Sequence, residues 1–142
     1  MRSVRTVAYE LPVQLVVSHD LSVPMYATLR YEADDPYAVR AVFHPSAPDQ
    51  GRTVEWFFSR DVLAQALSER TGSGDVHMWP AIDSGRDVVF IALRSPAGSA
   101  LLVFPAQDVD SFLRETRSVV PPGAESSRID LDAELAQLLA GN

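Results

Sequence analysis

Val7, Tyr9, Leu11, Val13, Leu15 and Val17 occupy every second position near the start of the chain, with Glu10 and Gln14 among the residues between them. Alternation of this kind marks a strand with one buried face. Pro12 falls inside it, and because proline has no N–H to give to a ladder, the pattern predicts an edge position or a bulge there. His19-Asp20 opens a turn, after which Ala27, Leu29 and Tyr31 alternate with Thr28, Arg30 and Glu32 in a second strand. Asp34-Asp35-Pro36 ends that strand, since aspartate favours turns and proline cannot continue the pairing. Residues 37–44 give a third strand with Val39, Ala41 and Phe43 on one face. A loop over 45–51 leads to a fourth, in which Val54, Trp56 and Phe58 alternate with Glu55 and Phe57. Four strands in a row with short connections predict an antiparallel meander.

The period then lengthens. Ser59 can cap a helix whose apolar residues Val62, Leu63, Ala66 and Leu67 form one stripe, and Thr71-Gly72-Ser73-Gly74 closes it. Strands follow over roughly 75–82, 87–95 and 98–104. The middle one is apolar on both faces through Val88, Val89, Phe90 and Ile91, which places it inside its sheet. Ser95-Pro96-Ala97-Gly98 has the composition of a tight hairpin turn. A second helix over about 106–119 buries Val109, Phe112 and Leu113, with Asp108 and Asp110 early and Arg114 and Arg117 late, as the helix dipole favours. Pro121-Pro122-Gly123 stops it. Asp130 caps a last short helix, to about residue 140, with Leu131, Leu135, Leu138 and Leu139 on one side. The order ββββ-α-βββ-α-α makes this an α/β chain of the α+β kind with antiparallel sheets, read as a single domain over residues 1–142.

Composition narrows the function. The 142 residues are 46% hydrophobic, enough for a packed core, and no apolar run approaches the length of a membrane span. Two arginines near the N-terminus are followed by an alternating pattern in place of a continuous apolar stretch, so no signal peptide is expected and cytoplasm is the default compartment. There is no cysteine, which removes disulfides, thiolate nucleophiles and cysteine-held metals. Formal net charge is −7, and the twelve cations are all arginine, scattered singly. Phosphate neutralisation needs a basic surface, so nucleic acid is not the expected partner.

Candidate chemistry is sparse. The three histidines, His19, His44 and His77, have none of the close spacings of a metal motif. No nucleophile elbow and no phosphate loop is present. Gly72-Ser73-Gly74 begins like a dinucleotide fingerprint but follows a helix and precedes a strand, the reverse of the required order. Asp34-Asp35 beside Pro36 reads as a turn, not a carboxylate pair. Trp56, Phe57, Phe58 and Trp79 have no basic neighbours in sequence and read as packing residues in preference to base-stacking ones.

Laid end to end, these segments resemble the SsgA-like proteins, the sporulation and cell-division family of actinobacteria. The resemblance is carried by Leu29-Arg30-Tyr31, Asp35-Pro36-Tyr37-Ala38-Val39, Thr53-Val54-Glu55-Trp56, Arg60-Asp61-Val62-Leu63 and Thr71-Gly72-Ser73-Gly74-Asp75-Val76. It continues through Trp79-Pro80, Ile91-Ala92-Leu93, Ser95-Pro96-Ala97-Gly98, Val120-Pro121-Pro122-Gly123 and Asp130-Leu131-Asp132. The loop over 45–52, Val62 and Met78 depart from the family's usual pattern. The resemblance implies a whirly-like, guide-RNA-binding-protein-like fold and a homotrimer. It also implies a non-catalytic role without cofactors, in which the protein marks septum sites and recruits or positions the tubulin-like division protein FtsZ. Implied partners are FtsZ and other SsgA-like proteins, with a cytoplasmic location at the division septum and membrane association only through partners. The whirly-like fold also leaves open a single-stranded nucleic-acid-binding module.

Two sites are expected from the residues themselves. Pro121, Pro122 and Gly123 form either an ordinary helix stop or a hinge toward the last helix, because only a residue tolerant of positive φ redirects the chain easily after two prolines. Leu131, Leu135, Leu138 and Leu139 form an apolar stripe that either serves a partner or oligomer surface or docks on its own domain.

Overall fold

The computed structural model describes residues 5–45, 53–126 and 138–139. The first four strands are β1 (Thr6–Ser18), β2 (Leu21–Glu32), β3 (Ala38–Pro45) and β4 (Val54–Ser59). Helix α1 (Arg60–Gln65) leads to β5 (Thr71–Ser73), β6 (Val76–Asp83), β7 (Arg86–Ser95) and β8 (Gly98–Pro105), and helix α2 (Ala106–Val119) follows. All pairings are antiparallel, in the order β4-β3-β2-β1-β8-β7-β6-β5. The sheet therefore consists of two four-stranded meanders joined where β1 meets β8, and that seam has only two pairs, Gln14 with Val103 and Leu15 with Leu102. The third expected helix lies outside the described residues, apart from Leu138 and Leu139, which are helical.

Three differences from the pattern reading have physical causes. Strand β1 is interior to the sheet order, not an edge, yet Pro12 causes no gap: it pairs with Tyr26 of β2 and lies outside the short stretch facing β8. Proline is tolerated where only one neighbour demands pairing. The bulge falls instead between Val16 and Ser18. Strand β2 starts at Leu21, ahead of the run over 27–31: Leu21, Val23 and Met25 continue the same alternation, and β1 supplies a partner along the whole length. Thr71-Gly72-Ser73 does end the helical region but also forms β5, pairing with Val76–Met78 through Ser73 with Val76 and Thr71 with Met78. Gly72 fits there at φ +101, and a side chain at its Cα would collide with the Val76 carbonyl oxygen.

The core lies between the meanders and the helices. Leu11 and Val13 of β1, Leu29 and Tyr31 of β2, Val39 of β3, Ile91 of β7 and Phe104 of β8 are fully buried. Phe43 meets Phe104 edge-on at 6.0 Å, linking β3 to β8. Helix α2 packs across β1, β7 and β8. Its buried face is Val109, Phe112, Leu113 and Thr116, at helical spacing, and Phe112 meets Tyr9 edge-on at 5.9 Å. Helix α1 begins as its sequence indicates: the Val62 N–H donates to the Ser59 hydroxyl over 3.3 Å.

Candidate protein-interaction site

Strands β1 and β2 extend beyond their neighbours. Pairing of β2 with β3 stops at Met25, and pairing of β1 with β8 stops at Leu15, so the hairpin through residues 16–24 stands as an arm. The apolar stripe that makes the core lower down continues into it without cover. Val17 is 57% exposed, Leu21 54%, and Val23 is exposed as well. The turn at its tip is held by the Ser18 hydroxyl donating to Asp20 Oδ1 at 2.9 Å.

Beside the arm is the outward face of β6, β7 and β8, opposite buried Met78, Ile91 and Leu102. Trp79 stacks on Phe90 at 5.6 Å between ring centroids, and the Arg70 guanidinium lies 4.6 Å from the centre of the indole. Arm and sheet together border a cleft of about 760 Å³, lined by Leu15, Val17, Trp79, Ala92, Arg94 and Leu101 among others. An apolar floor with an aromatic anchor and a charged rim is the composition that protein interfaces favour. A wider depression of about 1340 Å³, bordered by Pro12, Pro24, Pro80 and Asp83, contains no aromatic residue. Elsewhere, Phe57 is 57% exposed on the outward face of β4, a departure from its reading as a packing residue, whereas Phe58 is buried and Trp56 half-buried. Alternation explains the difference, since Phe57 points away from the core on either side of which its neighbours lie.

The expected site residues divide between two places. Pro121, Pro122 and Gly123 form a turn in which Gly123 has φ +91 and the Ala124 N–H donates to the Pro121 carbonyl at 3.0 Å. Leu138 and Leu139 are exposed, at 72% and 86%. Leu131 and Leu135 lie outside the described residues.

Next to the turn is a buried polar cluster that the sequence reading missed. Arg60, the first residue of α1, is 3% exposed. Its Nη1 donates to the Thr116 and Val120 carbonyls at 3.2 and 2.8 Å, satisfying the C-terminal end of α2. Its Nη2 donates to Glu125 Oε2 at 2.7 Å, and the Gly123 N–H donates to Glu125 Oε1 at 2.8 Å. The guanidinium lies 4.8 Å from the centre of the Tyr31 ring, whose hydroxyl donates to the Pro36 carbonyl at 3.0 Å. The Arg60 hydrogen bond holds the Glu125 carboxyl below its ordinary range, aided by backbone N–H donation. Burial pushes Tyr31 up to about 12, with Arg60 opposing. The signal available in sequence was Arg60 itself, three residues before Leu63 on the buried stripe of a helix.

Among the described residues no group of three or more His, Cys, Asp or Glu side chains gathers as a metal site, and no helix is long and apolar enough to cross a membrane. His44 shares a 3.1 Å hydrogen bond with Thr28, and His77 lies on a different strand of the other meander. The arrangement is that of an α+β protein with one antiparallel sheet, where separate sheets were expected, and an aromatic-floored cleft. Residues 25–125 match the family model described as the Streptomyces sporulation and cell division protein SsgA. The sporulation-specific cell division protein SsgB of Streptomyces coelicolor is 52% identical over 135 residues, covering 95% of this chain and 96% of that protein. The SsgB of Frankia casuarinae is 46% identical over 136 residues, covering 96% and 93%. A crystal structure of an SsgA-like sporulation-specific cell division protein from Thermobifida fusca superposes with a TM-score of 0.86 at 40% identity, covering 96% of this chain and 98% of that one. The chain belongs to the SsgA family, and its role lies in sporulation-associated cell division.

Proposed function

We propose that this chain is a non-catalytic binding protein that marks septum sites during sporulation and recruits or positions FtsZ there. In this reading the protein is a homotrimer, works at the septum with other SsgA-like proteins, and reaches the membrane only through its partners. The observation that supports it is the uncovered apolar arm of Val17, Leu21 and Val23, of which Val17 also borders the Trp79 cleft. Against a single-stranded nucleic-acid role stand the net charge of −7 and the engagement of Trp79 by Phe90 and Arg70 within its own chain.

The test is co-pelleting with FtsZ polymers, using the parent protein, Val17→Asp and Leu21→Asp. Both positions are more than half exposed, so the variants are expected to melt with the parent while co-pelleting falls about tenfold or more. Absence of parent co-pelleting under every nucleotide condition overturns direct recruitment. Parent binding that both variants retain moves the contact elsewhere, with Leu138→Asp the next variant to measure.

A further inference from the structure

We infer that Arg60 and Glu125 act as a releasable clasp that holds residues 121–126 on the sheet and helices, and that this clasp opens as a local unit while the sheet stays folded. The inference is independent of the partner proposed above.

Residues 121–126 follow the buried end of α2. Val120 is buried and Ala124 partly so, but Pro121, Pro122, Gly123 and Ser126 are exposed, so little apolar surface secures this stretch. Polar contacts do most of the holding. Glu125 meets Arg60 on one oxygen and the Gly123 N–H on the other, and Ser126 shares a 2.6 Å hydrogen bond with the Tyr37 hydroxyl. Segments with few buried apolar contacts are the ones that open below the global unfolding free energy.

A buried ion pair adds little net stability compared with apolar residues of the same volume, yet breaking it is expensive because one charge is left without a partner. That asymmetry makes the clasp close to all-or-none. The carboxylate is either seated on Arg60 or fully released into water. Arg60 does not lose all its partners on release, because the Thr116 and Val120 carbonyls of its own domain still accept from Nη1. The cation thus stays satisfied on the domain side, and the opening is confined to the strap.

The experiment uses the full chain and two readouts. Trypsin must take up the residues flanking Arg128 in extended form, Glu125 among them, so cleavage after Arg128 reports clasp opening. Amide exchange at Ala124, whose N–H donates to the Pro121 carbonyl and not to Glu125, reports the same event without a protease. Glu125→Ala is expected to raise both rates about tenfold or more beyond any change in exchange at Ile91 in β7, which follows global stability alone. Should Glu125→Ala fail to fold, Glu125→Gln, which can still accept from Arg60, is expected to give intermediate rates on a folded sheet. The clasp is overturned if the parent is cleaved after Arg128 as fast as the variants. It is equally overturned if the Ala124 and Ile91 amides accelerate by the same factor, since the opening would then be global.

Discussion

Arg60 and Glu125, 65 residues apart in sequence, meet at 2.7 Å with both side chains withdrawn from water. The pair joins the start of α1 to the residues after α2, and Arg60 simultaneously closes the last turn of α2. Truncating Arg60 leaves Glu125 Oε2 and the Val120 carbonyl without their donor and the Thr116 carbonyl with only the Val120 N–H. Arg60→Ala is expected to lower the unfolding free energy by about 3–5 kcal/mol, read from urea midpoints. Arg60→Lys recovers only part of it, because an ammonium cannot reproduce the planar fork. The double change Arg60→Met with Glu125→Leu should lie closer to the parent than either single truncation.

The same pair sets an acid limit. The Glu125 pKa is lowered in the fold, so its contribution is present above the ordinary carboxylate pKa and is lost as pH falls through the lowered value. Stability measured between neutral and strongly acid pH should therefore decline less steeply in Glu125→Gln than in the parent.

At the alkaline end the sign is opposite. Tyr31 is pushed up to about 12 from 10.0, so above pH 10 the unfolded chain loses its phenolic proton first. Stability tied to Tyr31 is complete below pH 10 and drains away toward pH 12, by roughly 2–3 kcal/mol. Tyr31→Phe removes that alkaline slope while weakening the protein at neutral pH, because the Pro36 carbonyl loses its donor.

Gly72 and Gly74 offer a matched comparison in one hairpin. Both have positive φ, at +101 and +63, but a side chain at Gly72 runs into the backbone of Val76 whereas Gly74 faces open space. Gly74→Ala is expected to cost about 1 kcal/mol. Gly72→Ala should cost clearly more and separate β5 from β6, which the loss of amide protection at Met78 would reveal. Equal costs would mean that the hairpin shifts freely to admit a methyl group.

In the α2 interface, Phe112 is fully buried and meets Tyr9 edge-on. Phe112→Ala is expected to cost about 3–5 kcal/mol, and Phe112→Leu less than half of that, by thermal and urea unfolding.

What the sequence disclosed follows from the range of the forces involved. Helix α2 was readable to its end residues, since Val109, Phe112 and Leu113 mark its face and Pro121-Pro122 its stop. The Ser59 cap was readable because the interaction spans three residues. Strand β5 was hidden, because three residues with a glycine in the middle carry no alternation and owe their pairing to β6. The interior place of β1 was hidden for a similar reason: its bond to β8 involves two residues, and no local pattern encodes it. Of the candidate site, the Pro121-Pro122-Gly123 turn and the alternation of β1 were legible. The clasp and the Trp79 cleft were not, since both depend on residues brought together from distant strands and helices.

The two-pair seam between β1 and β8 also bears on how the chain finds its fold. Each meander grows by hairpins between successive strands, the kind of closure that takes microseconds and costs little loop entropy. Among the strand pairings, only the union of Gln14 and Leu15 with Val103 and Leu102 requires two ends of a long stretch of chain to meet. That encounter is the strand pairing of highest contact order, the kind that forms slowly because loop entropy is lost before any contact is gained. A chain growing from its N-terminus can complete the first meander early, but must hold the flank of β1 open until β8 has been made.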